Sequence, residues 1–345
     1  MHNHKMIKPD RRQQPRVGLV GCGAWGRNLL RNLADAGVLH AVAETEPNLR
    51  QWISEHEPGL RCETDYQTLL DESVDAIAIA TPAATHYRIA RDALIAGKDV
   101  FVEKPLALSS AEGIELVDLA RRLDRVLMVG HLLLHQPAIH WIKNFITEGR
   151  LGDVQNVRQF RLGMGRVRDV ENVLWCLGSH DLAVQLFLLG EFPDSARFDG
   201  RRLTQDAIED DVRLSLTYPG GVHAHLHTSW VSPVRRRQLD ITGSRGTLVY
   251  DELAQTVRLT SAADDDQARD DRESPVLHRG HTQPLALELE EFLDCIRTRR
   301  SPTSDGQQAV RVIQMIELAM DRGNADFLAQ VTANSPEHIT ADVED

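Results

Sequence analysis

Lys104 is the residue of this chain whose type and position point most directly to chemistry. It follows the strand-like run Asp99–Val102 and precedes Pro105. Proline lacks a backbone N–H and ends a strand, so the lysine should lie in a turn rather than in a ladder. At the carboxyl end of a parallel strand, a side chain points into the crevice where open α/β sheets bind ligands. We therefore predict that Lys104 takes part in proton transfer at a ligand site.

A glycine-rich segment predicts what binds in that crevice. Gly21, Gly23 and Gly26 form the pattern G-x-G-x-x-G, with Ala24 and Trp25 before the last glycine. The segment follows the first predicted strand and begins the first predicted helix, which is the context this pattern requires. The glycines allow a tight turn that brings the helix N-terminus to a pyrophosphate. We predict that these five residues bind a dinucleotide.

Glu44 selects between the two nicotinamide dinucleotides. It lies 18 positions after Gly26, at the end of the second predicted strand. A carboxylate there accepts hydrogen bonds from the ribose hydroxyls of adenosine and repels a 2′-phosphate. No arginine follows immediately to neutralise such a phosphate. The prediction is NAD, and the alternative is a solvated glutamate at a strand end.

Further cofactor contacts are expected where the next two strands end. Thr81 and Pro82 end one strand, and Glu103 with Lys104 ends the other. His86 begins the helix that follows Thr81 and Pro82. It is interpreted either as a residue of the capping region or as a cofactor contact.

The elements that must position these residues alternate between strand and helix. Strand-like runs cover Arg16–Val20, Leu39–Ala43, Asp75–Ala80, Asp99–Val102 and Val126–Val129, and helical periodicity covers Ala24–Ala36, Thr85–Ala96 and Ser109–Leu123. Strands that are apolar throughout indicate a parallel sheet covered on both faces. We predict a Rossmann dinucleotide-binding domain over residues 16–130.

The pattern changes after residue 130 to strands with period-2 alternation, as in an open antiparallel sheet. These strands are Val154–Arg161, Val212–Tyr218, Val222–His227, Gln238–Thr242, Thr247–Asp251 and Thr256–Thr260, with helices at Pro137–Glu148, Leu182–Leu189, Leu285–Arg299 and Gly306–Arg322. The predicted fold class is therefore α/β, with a C-terminal α+β domain over residues 131–325 whose sheet is open and mostly antiparallel. Residues 1–15 and 326–345 are predicted tails, and the acidic stretch Asp264–Glu273 is a predicted surface loop.

The amino-acid composition limits the kinds of partner that the protein is expected to bind. The net charge of −12 over 345 residues argues against broad nucleic-acid or anionic-membrane binding, although short arginine clusters such as Arg299-Arg300 are candidate local anion sites. The four cysteines are widely spaced and predict reduced thiols rather than disulfides or a zinc site. The chain shows neither a signal peptide at its start nor an apolar run of the roughly 18 residues that a membrane helix needs. A cytoplasmic protein is expected.

Four segments together resemble the Gfo/Idh/MocA oxidoreductases. They are GCGAWG, VDAIAIATPAATH, AGKDVFVEKP and the strand that ends in Gly130-His131. The resemblance covers residues 16 to about 323. It implies a Rossmann domain followed by an open-faced α/β domain, NAD as cofactor, a sugar substrate and a homodimer or homotetramer formed through the C-terminal sheet.

A subgroup resemblance suggests the substrate. Segments at 165–168, 171–175, 179–181 and 229–233 are similar to bacterial UDP-N-acetyl-glucosaminuronate 3-dehydrogenases. Those enzymes oxidise C3 of a nucleotide-linked sugar acid for surface-polysaccharide synthesis. A sugar ketoreductase of deoxysugar synthesis, a free-polyol dehydrogenase and a non-enzymatic dinucleotide-sensing regulator are the alternatives.

Oxidation of an alcohol requires a group that receives the hydroxyl proton while hydride leaves the carbon. Lys104 and His180 are the candidates, expected from different domains at one cleft. Our hypothesis is that Lys104 polarises the C3 oxygen and that His180 takes or relays the proton. The sequence leaves open the reverse assignment and also a structural role for His180 at the start of an apolar helix. Many polyol-oxidising relatives carry aspartate four positions before the histidine, where this chain has Cys176. Asp181 is a weak substitute, because it should point elsewhere on a helix.

Other side chains are weaker candidates. His131, Arg166, Trp175 and Ser179 are predicted substrate contacts, with packing as the alternative for His131 and the favoured role for Trp175 and also for Trp230. His223, His225 and His227 share one face of a predicted strand, a spacing that can chelate zinc. Because no further ligands are evident, no metal is predicted and a polar interface or solvent-facing surface is favoured.

Overall fold

A computed structural model describes residues 14–165, 171–261, 274–280 and 283–320 of the chain. It divides into two compact units. The first contains the residues up to Gly130 together with Leu285–Gln307, and the second contains His131–Pro284 together with the residues from Gln308 onward. The predicted tails and the acidic stretch Asp264–Glu273 lie outside the described residues, except for residues 14 and 15.

The first unit is built on a parallel six-stranded sheet in the order β3-β2-β1-β4-β5-β6. Its strands are β1 Val17–Val20, β2 Leu39–Ala43, β3 Arg61–Glu63, β4 Ala76–Ile79, β5 Asp99–Glu103 and β6 Leu127–Gly130, and its helices are α1 Gly26–Asp35, α2 Pro47–His56, α3 His86–Ile95 and α4 Ser110–Arg122. All residues of β1, β4, β5 and β6 are buried, as expected when helices cover both faces of the sheet. The strand order is that of a dinucleotide-binding sheet, so the Rossmann prediction is confirmed.

Helix α2 and strand β3 were missing from the sequence prediction. Helix α2 begins with Pro47 at its first position, where a missing N–H costs nothing, but it buries only Ile53. Strand β3 has three residues, all half-buried. Elements that bury so little apolar surface leave a weak periodic signal.

The second unit contains an eight-stranded sheet in the order β14-β13-β12-β11-β7-β10-β9-β8. In chain order its elements are α5 Pro137–Thr147, β7 Val154–Met164, α6 Ser179–Leu189, β8 Ser195–Arg201, β9 Asp211–Thr217, β10 His223–Ser229, β11 Val231–Gly243, β12 Gly246–Asp251, β13 Thr256–Ser261 and β14 Val276–Arg279. All neighbouring pairs are antiparallel except β7 with β10, which confirms a mostly antiparallel sheet. The predicted hairpin turn between β9 and β10 is also confirmed, with Gly220 and Gly221 at φ of 75° and 83°.

Strand β10 shows how the sheet separates its two faces. His223 and His225 are exposed, whereas Ala224 and Leu226 are buried in the core that includes residues of α5 and α6. The helices therefore cover one face, as predicted. Strands β8 and β14 were not predicted: β8 alternates only between exposed and half-buried residues, and β14 has four residues, three of them exposed.

Two helices complete the described chain, α7 Pro284–Thr298 and α8 Gly306–Met320. The sequence prediction assigned both to the C-terminal domain, but Leu285–Gln307 lies in the first unit. The reason is packing: Phe292 of α7 contacts Phe101 of β5, with ring centroids 5.7 Å apart. The backbone N–H of Val129 also donates to the carbonyl of Ser304.

Candidate cofactor site and acid–base residues

The glycine loop after β1 is shaped by close backbone approaches. Gly21 has φ of 89°, and a Cβ there would lie 2.9 Å from the carbonyl oxygen of Ala80. A methyl group on Gly26 would overlap the carbonyl oxygen of Gly21. Because strands β1 and β4 lie side by side where the chain order of the sheet reverses, the loop stands at the switch point where such sheets bind ligands.

The same loop leaves an opening at its middle glycine. A Cβ on Gly23 would meet no described atom within 4 Å. Helix α1 begins at Gly26, and no described side chain caps its N-terminus. Free backbone N–H groups beside an open space suit the two phosphates of a dinucleotide. These residues therefore fit the cofactor that the sequence predicts.

Replacing Gly23 with alanine tests this opening. We expect the free energy of unfolding to change by less than about 0.5 kcal/mol, because the added methyl group meets no described neighbour. Dinucleotide affinity should fall by about tenfold or more, which corresponds to ~1.4 kcal/mol, because the methyl group occupies the phosphate space. Calorimetric titration and thermal unfolding measure the two effects. Gly26→Ala is the contrasting variant, since it should lower the Tm as well.

Glu44 is held beside the glycine loop by two backbone groups. The N–H of Cys22 donates to its Oε2 at 2.6 Å, and the N–H of Glu46 donates to its Oε1 at 3.0 Å. The side chain is buried, yet each carboxylate oxygen can still accept another hydrogen bond. This arrangement presents a fixed acceptor to ribose hydroxyls. Arg50, which the sequence interpretation did not consider, donates to the carbonyl oxygens of Glu44 and Thr45 at 3.0 and 2.5 Å.

The side chain of Glu103, at the end of β5, contacts the glycine loop through a hydrogen bond. The indole N–H of Trp25 donates to its Oε1. A Cβ on Gly130 would lie 2.9 Å from its Oε2, so glycine at that position makes room for the carboxylate. Burial raises the pKa of Glu103 to about 7, against the opposing effects of Trp25 and Lys104. Glu103 was predicted to contact the cofactor; the structure gives its carboxylate a hydrogen bond to Trp25 of the glycine loop, and direct contact with the cofactor stays a prediction.

The Lys104 turn is tied to the turn after β4. The Lys104–Pro105 peptide is cis. The ring of His86 lies between the two turns, with Nδ1 2.7 Å from the carbonyl oxygen of Pro105 and Nε2 2.8 Å from that of Thr81. His86 is 1% exposed, and both its ring nitrogens are engaged by backbone oxygens. Its geometry is that of a residue that positions the two turns, while a direct cofactor contact stays a prediction.

His180 lies in the second unit, at the second position of α6, after a π-helical turn at Leu174–Gly178. Cys176, four positions before His180, lies within this π turn and is buried, so a thiol and not a carboxylate stands at the position of the aspartate. π turns are frequent at functional sites.

Asp181 is engaged in a buried ion pair. Its carboxylate forms a bidentate ion pair with Arg161 of β7, at 2.7 and 2.9 Å, and the same guanidinium reaches Glu252 at 2.9 Å. Gln159, Gln185 and the Tyr218 hydroxyl extend this buried network. Burial raises the pKa of Asp181 above its usual value, and Arg161 opposes that effect. The network fixes α6, and hence the backbone of His180, on the sheet.

The predicted substrate contacts fall in different environments. Trp230 is part of the core and Trp175 packs against it, while contact of Trp175 with a substrate stays a prediction. His131 and Ser179 are buried, at 2% and 1% exposure, and their contact with a substrate stays a prediction. Arg166 lies outside the described residues.

The histidines of β10 have local partners. His227 Nε2 lies 3.0 Å from Asp211 Oδ2, and His225 Nδ1 lies 3.1 Å from the Ser215 hydroxyl. Within the described residues, no group of three or more His, Cys, Asp or Glu side chains is arranged to hold a metal ion.

Two cavities of about 390 and 490 Å³ lie at the opposite, amino-terminal edge of the first sheet and share Arg125 and Arg299. Their arginines are already engaged: Arg299 pairs with Asp99 at 2.7 Å, and Arg300 pairs with Glu291 at 2.8 Å. The candidate anion site at Arg299-Arg300 is thus occupied by the chain's own carboxylates. These cavities are also at the wrong sheet edge for the glycine loop.

No helix in the described ranges combines the length and apolar character that a bilayer crossing would need. The described chain also contains no disulfide: all four cysteines are free.

Comparison with known proteins matches both halves of the chain to one family. Residues 15–131 match the model described as "Oxidoreductase family, NAD-binding Rossmann fold", and residues 139–249 match the "GFO/IDH/MocA C-terminal domain". The chain is 28% identical over 311 residues to UDP-N-acetylglucosamine 3-dehydrogenase of Acidithiobacillus ferrooxidans, covering 86% of this chain and 94% of that protein. It is 25% identical to scyllo-inositol 2-dehydrogenase (NAD(+)) of Bacillus subtilis, covering 84% and 88%.

A solved structure shows the same architecture. The structure of UDP-N-acetylglucosamine 3-dehydrogenase GnnA from Acidithiobacillus ferrooxidans matches with a TM-score of 0.78 at 26% identity, covering 91% of this chain and 99% of that one. The similarity therefore extends through both units.

Proposed function

The chain belongs to the Gfo/Idh/MocA family of NAD-binding oxidoreductases, and from this we propose that it oxidises the C3 hydroxyl of a nucleotide-linked sugar or sugar acid. The observation that carries the proposal is the similarity, through nearly the whole chain, to a dehydrogenase that acts at C3 of a UDP-linked sugar. The cofactor is NAD, in agreement with the fixed carboxylate of Glu44 beside the glycine loop.

The proposed chemistry removes a hydride from the C3 carbon and a proton from its hydroxyl. NAD, when bound, supplies the nicotinamide that accepts the hydride. The Lys104 ammonium donates a hydrogen bond to the C3 oxygen and stabilises the negative charge that develops as the O–H bond breaks. His180 receives the proton as general base. The rest of the site orients these groups: His86 holds the Lys104 turn, and the Arg161–Asp181 pair holds α6.

The assignment of the base can be tested by pH dependence. If His180 is the base, kcat/KM of the wild type falls at acidic pH as the imidazole protonates. His180→Gln should then remove this acidic limb of the pH profile of kcat/KM. Persistence of the limb in His180→Gln together with its loss in a Lys104 variant would reverse the two roles.

The substrate is tested by offering the purified protein a panel of UDP-sugars and free polyols while following the absorbance of reduced nicotinamide. Turnover of a UDP-linked sugar or sugar acid supports the proposal. Turnover of free polyols alone would place the protein with the inositol-oxidising relatives instead. Tight NAD binding without turnover of any sugar, in either direction, would support a dinucleotide-sensing regulator.

We further propose a cytoplasmic protein that forms a homodimer or homotetramer through the open face of the C-terminal sheet. The exposed face of β10, opposite the face that packs on the helical core, supports an interface there. Light scattering after size-exclusion chromatography measures the oligomer, and a monomer at micromolar concentration contradicts the proposal.

A further inference from the structure

Arg27 places a positive charge beside the glycine loop. It directly follows the last glycine of that loop and is the second residue of α1, whose first turn contains no acidic residue. Its Nε is buried, yet no described group accepts the N–H. Because the N-terminus of a helix already carries a partial positive charge, a cation there is electrostatically unfavourable unless an anion is nearby.

The guanidinium group of Arg27 lies on the ring of Trp52 in α2, with its central carbon Cζ 4.6 Å from the ring centroid. The ring of His56 stacks on Trp52, with centroids 4.1 Å apart, and His56 Nδ1 lies 2.8 Å from the carbonyl oxygen of Trp52. Side chains of a helix lean toward its N-terminus. Both α1 and α2 follow parallel strands, so Arg27 and Trp52 lean toward the sheet edge that carries the glycine loop.

A dinucleotide supplies the anion that this arrangement lacks. The backbone N–H of Arg27 donates to the carbonyl oxygen of Gly23 at 3.1 Å, so the arginine adjoins the opening at that glycine. Guanidinium groups bind phosphate oxygens through paired N–H donors. A guanidinium already stacked on an aromatic ring loses little conformational freedom when a phosphate binds it.

We propose that Arg27 binds the diphosphate of NAD and that Trp52 is a positioning residue which holds its guanidinium group. The inference rests on the NAD site of the proposed function and on no part of the sugar chemistry. NAD and its fragments therefore test it without a sugar substrate. Failure of the variants below, with NAD still bound by the wild type, would remove the role of Arg27 and leave the proposed function standing.

Arg27→Met keeps an apolar side chain against Trp52 and removes the charge. Its affinity for NAD and for ADP should be lower by about 10–100-fold, the effect of losing a charge-assisted hydrogen bond, while its affinity for adenosine should be unchanged. Calorimetry measures NAD and ADP, and ligand-observed NMR measures adenosine. Arg31→Met is the matched control: Arg31 is exposed one turn further along α1, so its screened charge should alter NAD affinity by less than about twofold.

Three outcomes of these titrations would overturn the proposal. The first is equal NAD affinity of the wild type and Arg27→Met. The second is an equal loss for ADP and adenosine, because Arg27 would then shape the adenosine pocket rather than bind phosphate. The third is a loss confined to NADP, which would place the guanidinium group at a 2′-phosphate.

The role of Trp52 is tested by a double-variant cycle. Trp52→Leu removes the aromatic face and should lower NAD affinity by about two- to fivefold, as expected for a cation–π contact. The same substitution in Arg27→Met should have little further effect, because the guanidinium group that Trp52 holds is absent. Additive losses would show that Trp52 does not act through Arg27.

The Tm of the cofactor-free protein separates phosphate binding from a structural role. Arg27→Met should have a Tm no more than about 2 °C below that of the wild type, because it removes a cation from a helix N-terminus and a buried donor that lacks an acceptor. The rise in Tm on addition of NAD should be smaller than in the wild type. A cofactor-free Tm lower by about 5 °C or more would show that Arg27 holds α1 against α2, and would overturn the proposal.

A measurement on the wild type does not depend on whether a variant folds. Phenylglyoxal modifies accessible arginine side chains, and peptide mass mapping reports the modification of Arg27 and of Arg31. ADP should protect Arg27 and adenosine should not, whereas Arg31 should react equally with either ligand. Equal modification of Arg27 in the presence and absence of ADP would contradict phosphate binding by this residue.

Discussion

Replacement of Lys104 with methionine is expected to lower kcat/KM by roughly 10²–10⁴-fold, the range that a positioned acid–base group contributes. Methionine keeps much of the apolar stem and removes the ammonium group. The hydroxyl oxygen of the substrate would then lose the cation that stabilises its developing charge. The measurement is steady-state turnover of the best substrate found among UDP-sugars, together with NAD affinity by calorimetry.

The affinity for NAD separates loss of chemistry from loss of structure. It should fall far less than kcat/KM in Lys104→Met, because the variant removes one predicted cofactor contact and leaves Gly21, Gly26 and Glu44 untouched. Lys143→Met provides a control elsewhere in the chain, since Lys143 donates to the Leu188 carbonyl at 3.0 Å in the second unit. Wild-type turnover in Lys104→Met with NAD bound would remove Lys104 from the mechanism.

Replacement of Asp181 with alanine is expected to destabilise the protein by about 3–5 kcal/mol, because it leaves the buried guanidinium of Arg161 without its bidentate partner. Glu252 remains within 3.4 and 2.9 Å of the two terminal nitrogens, but it is more exposed than Asp181 and leaves Nε without its partner. For a unit of this size, the loss corresponds to a Tm lower by on the order of 10 °C. Differential scanning calorimetry measures it directly.

A double variant distinguishes a charge effect from a packing effect. Arg161→Met combined with Asp181→Leu removes both buried charges and should recover most of the lost stability, because buried ion pairs are often replaceable by apolar groups. Asp194→Ala removes an exposed carboxylate and should leave the Tm within about 2 °C of wild type. A double variant no more stable than Asp181→Ala would show that the pair contributes more than charge compensation.

Glu288 illustrates a buried polar residue that the sequence interpretation missed although a signal was present. Leu285, Glu288, Leu289 and Phe292 follow the i, i+3, i+4, i+7 spacing of one helix face. A glutamate within an apolar stripe is a buried polar group that requires an explanation. The helix was assigned to the wrong unit, however, so no partner for the glutamate could be proposed.

Arg161 and Glu252 illustrate residues whose burial no local pattern of the sequence indicates. They are 91 positions apart: Arg161 lies on β7 and Glu252 directly follows β12, and β11 lies between these two strands. An arginine at the end of a predicted strand and a glutamate just after another are each ordinarily interpreted as solvent-facing. Only the packing of α6 on the sheet, which brings Asp181 to Arg161, identifies them as a buried network.

Local patterns of the sequence were sufficient to predict the strand–turn–helix units that carry the predicted cofactor residues. The glycine spacing, the acidic residue 18 positions after Gly26 and the strand-end Lys104 are set by the geometry of single strand–turn–helix units, in which residue type and short spacing determine the backbone. The tertiary structure alone decided what surrounds these residues. It placed α7 in the first unit and buried Glu288 there. It also engaged both nitrogens of His86 and formed the π turn before His180. The physical reason is that burial and charge pairing depend on contacts between segments far apart in the chain, and no local periodicity encodes which distant segment supplies the partner.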